Sequence, residues 1–166
     1  MSELTHLNVD GNPHMVDVGR KADTDRVAVA EGRVRLSPAA ADVVRTETNA
    51  KGNVLQIARI AGIQGAKHTA LLIPLCHPLP IDAVAVDVTL VGDVVEVVAT
   101  VRTRWRTGVE MEALTAVSAA CLTVYDMLKA IDRGMVIEGL GLVEKRGGRS
   151  GHWRRDPVVD LDARTS

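Results

Sequence analysis

Two pairs of charged residues, one acid–base and one acidic, dominate the chemistry that this sequence could perform. Asp126 and Lys129 stand three positions apart in a helix-compatible stretch, so they share a face and can hold each other in the charged form. Spacing alone also describes an ordinary surface ion pair. Glu110 and Glu112 open the same stretch, where negative charge favours a helix N-terminus. Glu112 and Asp126 are 14 residues apart, which places them on nearly one face but about 21 Å apart at 1.5 Å per residue. One small-molecule site cannot easily hold both from one subunit. If both serve one site, a second copy must bring the other, for instance through antiparallel long helices about a two-fold axis.

A third candidate is His77 within Pro-Leu-Cys-His-Pro, where the flanking prolines restrict the backbone and present the imidazole in a fixed direction for proton transfer or a substrate hydrogen bond. A structural turn histidine fits the same pattern. Cys76 and His77 point different ways on an extended backbone, which argues against a shared metal. The chain has only five lysines, Lys21, Lys51, Lys67, Lys129 and Lys145, against fifteen arginines. A compact ammonium can titrate when desolvated, whereas a guanidinium cannot. Lys51 before Gly52, and Lys145 before a glycine-rich basic loop, suit contacts to phosphate, although neither forms a GxxxxGK[ST] motif.

The elements that must position these residues are legible from periodicity. The 166 residues predict one domain over 1–157, with an irregular N-terminal segment, followed by a polar tail over 158–166. Alternation predicts a strand over 27–36 with a bulge at Gly32, and Ser37-Pro38 caps a following helix. A second helix is expected over 53–72, loosened at Gly62 and Gly65. Two strands joined at Gly92-Asp93 form a hairpin. A helix of about 20 residues carries Leu114, Val117, Cys121, Val124 and Leu128 on one stripe, ends at Gly134 as C-cap, and precedes a strand over 135–144. Its run over 113–125 carries no charge, which predicts burial nearly all round. The order is that of an α+β, ferredoxin-like βαββαβ antiparallel sheet with helices packed on one face.

Composition excludes several roles. A net charge of -1 and 2% aromatic residues do not fit a nucleic-acid binder. Two cysteines, Cys76 and Cys121, provide no disulfide framework and no zinc-ligand spacing. The uncharged run of thirteen residues is shorter than a membrane span, and the first residues lack a secretory signal pattern, so a cytoplasmic protein is expected.

Six segments in order, HMVDV from His14, KGNVLQIARIAGIQGAKHT from Lys51, LIPLCHPL from Leu72, TGVEMEALTA from Thr107, LTVYDMLKA from Leu122 and KRGGRSG from Lys145, resemble the molybdenum cofactor biosynthesis protein C family, whose members are cyclic pyranopterin monophosphate synthases. The resemblance spans roughly residues 4–153. It implies a homohexamer, a trimer of dimers, with active sites at subunit interfaces. It also implies a cyclised, GTP-derived small-molecule substrate that is rearranged to cyclic pyranopterin monophosphate with release of diphosphate. By the family's motifs, Asp126, Lys129 and Lys51 are catalytic, while Leu75, Cys76, His77, Met111 and Glu112, with Glu110 nearby, line the substrate. Charge logic adds Lys145, with Lys21 and Arg26, toward the triphosphate. No redox cofactor and no dedicated metal are expected, leaving room for a divalent cation carried by the triphosphate. The alternative is a non-catalytic, ligand-binding ferredoxin-like oligomer, in which Asp126 and Lys129 form an interface ion pair.

Overall fold

Valine and alanine at every second position set the architecture. In the computed structural model, which describes residues 10–148 and 151–156, strand β1 (Thr24–Arg35) is followed by α1 (Pro38–Arg45), α2 (Val54–Lys67), the short α3 (Thr69–Leu72), β2 (Ala83–Val91), β3 (Val94–Trp105), α4 (Glu110–Leu128), β4 (Val136–Arg146) and β5 (His152–Arg154). The sheet order is β2-β3-β1-β4-β5 and every neighbouring pair is antiparallel. Its first four strands have the ferredoxin-like order. Ala28, Ala30 and Val34 of β1 and Val95, Val97, Ala99 and Val101 of β3 are buried beneath α4 and α2. The predicted polar tail over 158–166 lies outside the described residues.

Local chemistry explains the boundaries. Ser37 caps α1, its Oγ accepting from the Ala40 N–H at 3.3 Å, and Pro38 occupies the first turn, where a missing N–H costs nothing. Val91 pairs with Val94, so Gly92 and Asp93 form the whole hairpin loop, and Gly92 takes the positive φ of 59° that this turn needs.

Several expectations need correction. The helix expected over 53–72 divides at His68 into α2 and α3, while Gly62 and Gly65 lie within unbroken α2. These glycines serve close approach instead: a Cβ on Gly65 would come 2.7 Å from the Ala119 Cβ and 3.0 Å from the Thr115 carbonyl oxygen of α4. Gly32 is likewise no bulge of β1, which stays in continuous register with β3 over all twelve residues. The register shifts occur against β4, whose strand carries the extra residues, between the pairs Val29↔Glu144 and Ala30↔Leu142 and again between Glu31↔Gly141 and Arg33↔Glu138. A Cβ on Gly32 would meet the Val117 Cγ1 at 2.7 Å, so glycine lets α4 settle on β1.

Helix α4 ends at Leu128 rather than at Gly134. The Asp132 carboxylate accepts from the N–H groups of Ser37 (2.7 Å) and Gly134 (2.8 Å), which pins the chain in a turn before β4. Nor is α4 buried all round, because Leu122 is 61% exposed. By length and composition this helix could cross a membrane. Ten of its nineteen residues are instead buried against the rest of the chain. The basic tail adds β5, pairing Lys145 with Trp153 beyond the strand expected over 135–144.

The Gly65 contact gives a stability prediction. Helix propensity alone favours Gly65→Ala by about 1 kcal/mol. Overpacking against α4 costs about 1–3 kcal/mol, and we expect it to win, lowering the urea midpoint of the variant. A raised midpoint would show that α2 and α4 can separate without loss.

Candidate active site

Three of the predicted residues converge where α4 ends. Lys129, the helix C-cap, donates from Nζ to the Asp126 Oδ1 at 2.5 Å. The Lys51 Nζ lies 3.6 Å from the other carboxylate oxygen and donates to the Asp126 carbonyl at 2.8 Å. Lys51 reaches this point from the loop before α2, where Asn53 caps the helix by accepting from the Gln56 N–H. All three side chains face solvent. The hydrogen bond from Lys129, followed by the charges of Lys129 and Lys51, holds the Asp126 carboxyl below the usual carboxylate range. The result is an ionised carboxylate flanked by two ammonium groups.

The other predicted residues gather where α4 begins. Leu75, Cys76, His77, Glu110, Met111 and Glu112 line a cavity of about 240 Å³, together with Val16, Val18 and Lys21 from the N-terminal segment. The proline-rich turn delivers the first three, and the first helical turn delivers the others. The His77 Nε2 donates to the Val16 carbonyl at 2.7 Å, so the N-terminal segment orients the ring. The Glu112 residue is only 4% exposed. Burial raises its carboxyl to about 7, opposed by a hydrogen bond from its own backbone N–H and aided by the charge of Glu110. Burial, with Glu112 nearby, also pushes the Cys76 thiol up. Lys145 joins this end by donating to the Glu110 Oε1 at 3.1 Å.

One residue bordering this end, Lys67, was not singled out as a site candidate from the sequence. Lys67 ends α2 and lines an adjoining cavity of about 450 Å³ that shares His77, Leu79 and Glu112 with the first. Its lysine identity in an arginine-rich chain was the available signal. Thr24 Oγ1 and Arg26 Nε are buried with no hydrogen-bond partner among the described residues. The Gly147-Gly148 turn lies over Arg26, so close that a Cβ on Gly148 would overlap the guanidinium. Unsatisfied donors of this kind suit an oxyanion. Among the described residues, no group of three or more His, Cys, Asp or Glu side chains is arranged to hold a metal ion.

Within one chain the two sets do not meet. They occupy opposite ends of α4, separated by about 21 Å along its axis. One end holds a carboxylate between two ammonium groups, and the other a cavity bordered by Lys21 with Lys145 paired to Glu110.

Comparison with known proteins covers both ends. The MoaC family model matches residues 15–148, from the segment that orients His77 to the Gly147-Gly148 turn. A protein of Thermomicrobium roseum is 61% identical over 158 residues, covering 94% of this chain and 95% of the relative. One of Novosphingobium aromaticivorans is 58% identical over 154 residues, covering 93% and 98%. A third, of Corynebacterium efficiens, is 55% identical over 153 residues, covering 92% and 99%. All three relatives are named cyclic pyranopterin monophosphate synthase. With a match that spans strands β1 to β4, α4 and the residues at both of its ends, this chain belongs to the MoaC family.

Proposed function

We propose that this chain is a cyclic pyranopterin monophosphate synthase of molybdenum cofactor biosynthesis. It converts (8S)-3',8-cyclo-7,8-dihydroguanosine 5'-triphosphate to cyclic pyranopterin monophosphate and diphosphate. The observation that carries this reading is the convergence of Lys51 and Lys129 on Asp126, although Lys51 lies 75 residues away in sequence. The names of the close relatives point to the same activity and lend no support to a non-catalytic binding protein.

The reaction requires three things of the protein. Opening the purine imidazole ring and closing the pterin require protons to be removed and returned, which the ionised Asp126 and its two ammonium neighbours can perform. Forming the cyclic phosphate links a sugar oxygen to the α-phosphorus as the bond to diphosphate breaks, so negative charge develops on the leaving group. Lys145, Lys21 and Arg26 are suited to meet that charge. The cavity of Leu75, Cys76, His77, Met111 and Glu112 is suited to the heterocycle, with the Glu112 carboxyl, raised to about 7, divided near neutral pH between a hydrogen-bond donor and an acceptor. Such a reaction makes the enzyme a lyase.

Its assembly follows from the split site. A homohexamer built as a trimer of dimers would bring the Asp126 end of one subunit to the Glu112 end of another. Exposed Ile60 (66%) and Leu122 (61%) on α2 and α4 support contact through this helical layer. The chemistry needs no redox cofactor, and a divalent cation would arrive with the triphosphate. The near-zero net charge supports a cytoplasmic enzyme that acts on a small molecule, without nucleic acid or membrane.

The acid/base assignment is tested with purified protein and enzymatically prepared substrate. Asp126→Asn and Lys51→Ala should each slow diphosphate release by about 10²-fold or more, with circular dichroism and oligomeric mass unchanged. Retained turnover would remove these residues from the chemistry, and dissociation of Asp126→Asn into smaller species would make the ion pair a structural contact.

Glu112 gives a pH prediction. Its carboxyl titrates near 7 in the folded chain against an ordinary 4.5. Between these values the native state holds a proton that the unfolded state has released, so stability falls as pH rises through this window. The loss is complete above about pH 7 and amounts to at most about 3 kcal/mol. Glu112→Gln should therefore gain stability over the wild type between pH 5 and pH 8, measured by urea unfolding. A constant difference across that range would mean that the carboxyl is not desolvated.

A further inference from the structure

We propose that Asn49 is a positioning residue for Lys51, tying the loop that carries it to the last turn of α4. This inference rests on the assignment of Lys51 and Asp126 to the acid/base site. The half-buried Asn49 amide has two partners in different elements. Its Oδ1 accepts from the Lys51 backbone N–H at 2.8 Å, and its Nδ2 donates to the Met127 carbonyl of α4 at 3.0 Å. The carbonyl of Asn49 closes the same loop by accepting from the Gly52 N–H at 3.0 Å. Lys51 is thus held to α4 at both ends: its backbone through Asn49 to Met127, and its ammonium directly to the carbonyl of Asp126.

The need for such a tether is physical. Lys51 is about half exposed, and a lysine side chain that loses its rotamer freedom gives up more free energy than an exposed ion pair returns, so attraction to Asp126 cannot by itself hold the ammonium in place. Fixing the backbone origin of the side chain beside α4 reduces the volume that the ammonium must search. The Met127 carbonyl lies in the last turn of α4, where a carbonyl must find a partner outside the helix, so the bond from Asn49 also satisfies a group left open by the helix end.

The test is a double-mutant cycle with a conservative control, each variant assayed for diphosphate release as a separate kcat and KM. Asn49→Ala should lower kcat about tenfold, change KM less than twofold and leave the thermal midpoint within a few degrees of wild type. Asn49→Asp keeps the acceptor for the Lys51 N–H but sets an oxygen against the Met127 carbonyl. It should therefore behave like Asn49→Ala; rescue of kcat by Asn49→Asp would reduce Asn49 to a local turn former and overturn the tether. In a Lys51→Ala background, measured in single turnover with excess enzyme, Asn49→Ala should cost less than a further twofold. Additive losses would mean that Asn49 acts elsewhere. The two readings fail separately: if Lys51→Ala retains full activity the acid/base assignment is lost, whereas an inactive Lys51→Ala beside a fully active Asn49→Ala overturns only the positioning role.

Discussion

Helix α4 approaches the sheet and α2 most closely at positions 32 and 65, where only glycine leaves room. At Gly32 and Gly65 a single added methyl group would collide with Val117 or with Ala119 and the Thr115 carbonyl. Ala113, Ala116, Val117 and Ala120 are fully buried on its inner face. Side chains this small have little rotamer freedom, so the helix is held in one orientation by shape rather than by interdigitation of long residues. Both clusters of functional groups hang from its two ends. Any shift of the helix would move the Asp126 carboxylate and the Glu112 carboxyl together.

The two ends are electrically different for reasons of solvation. Asp126 lies in water with two ammonium neighbours, and stays ionised because its partners are close. Glu112 lies inside, with Glu110 as a neighbouring like charge, and holds its proton to about pH 7. One helix therefore carries an ionised carboxylate and a carboxyl poised near neutrality, a separation that suits a reaction with both proton removal and proton delivery. The two carboxyl groups sit at opposite ends of one helix, about 21 Å apart along its axis.

Much of this was legible in the chain itself, for identifiable reasons. The alternation of Val84, Val86 and Val88 and of Val95, Val97, Ala99 and Val101 reports a sheet with one buried face, and Gly92-Asp93 reports its turn. Ser37-Pro38 marks a helix start because capping is local chemistry. The glycines were harder. Gly62 and Gly65 read as helix breakers when propensity is the only guide, yet they are contact points whose meaning depends on α4, some fifty residues later. The irregularity near Gly32 was real but assigned to the wrong strand, since a bulge is a property of two strands and only one was in view. Gly134 matched a C-cap, but Asp132 ties that turn to Ser37, which no local rule anticipates.

The sequence by itself determined that Asp126 and Lys129 share one helix face and that Glu112 and Asp126 must be far apart, because a helix has a fixed rise per residue. Residue type and spacing within one element suffice for that. Tertiary structure alone decided that Lys51 meets Asp126 and Lys145 meets Glu110, that Asn49 spans the Lys51 loop and α4, and that Lys67 borders one cavity together with Glu112. It also decided that Glu112 is desolvated while Asp126 is not. Burial and long-range pairing depend on how separate elements pack, and that packing is set by the fit of Gly32, Gly65 and their partners across the whole chain.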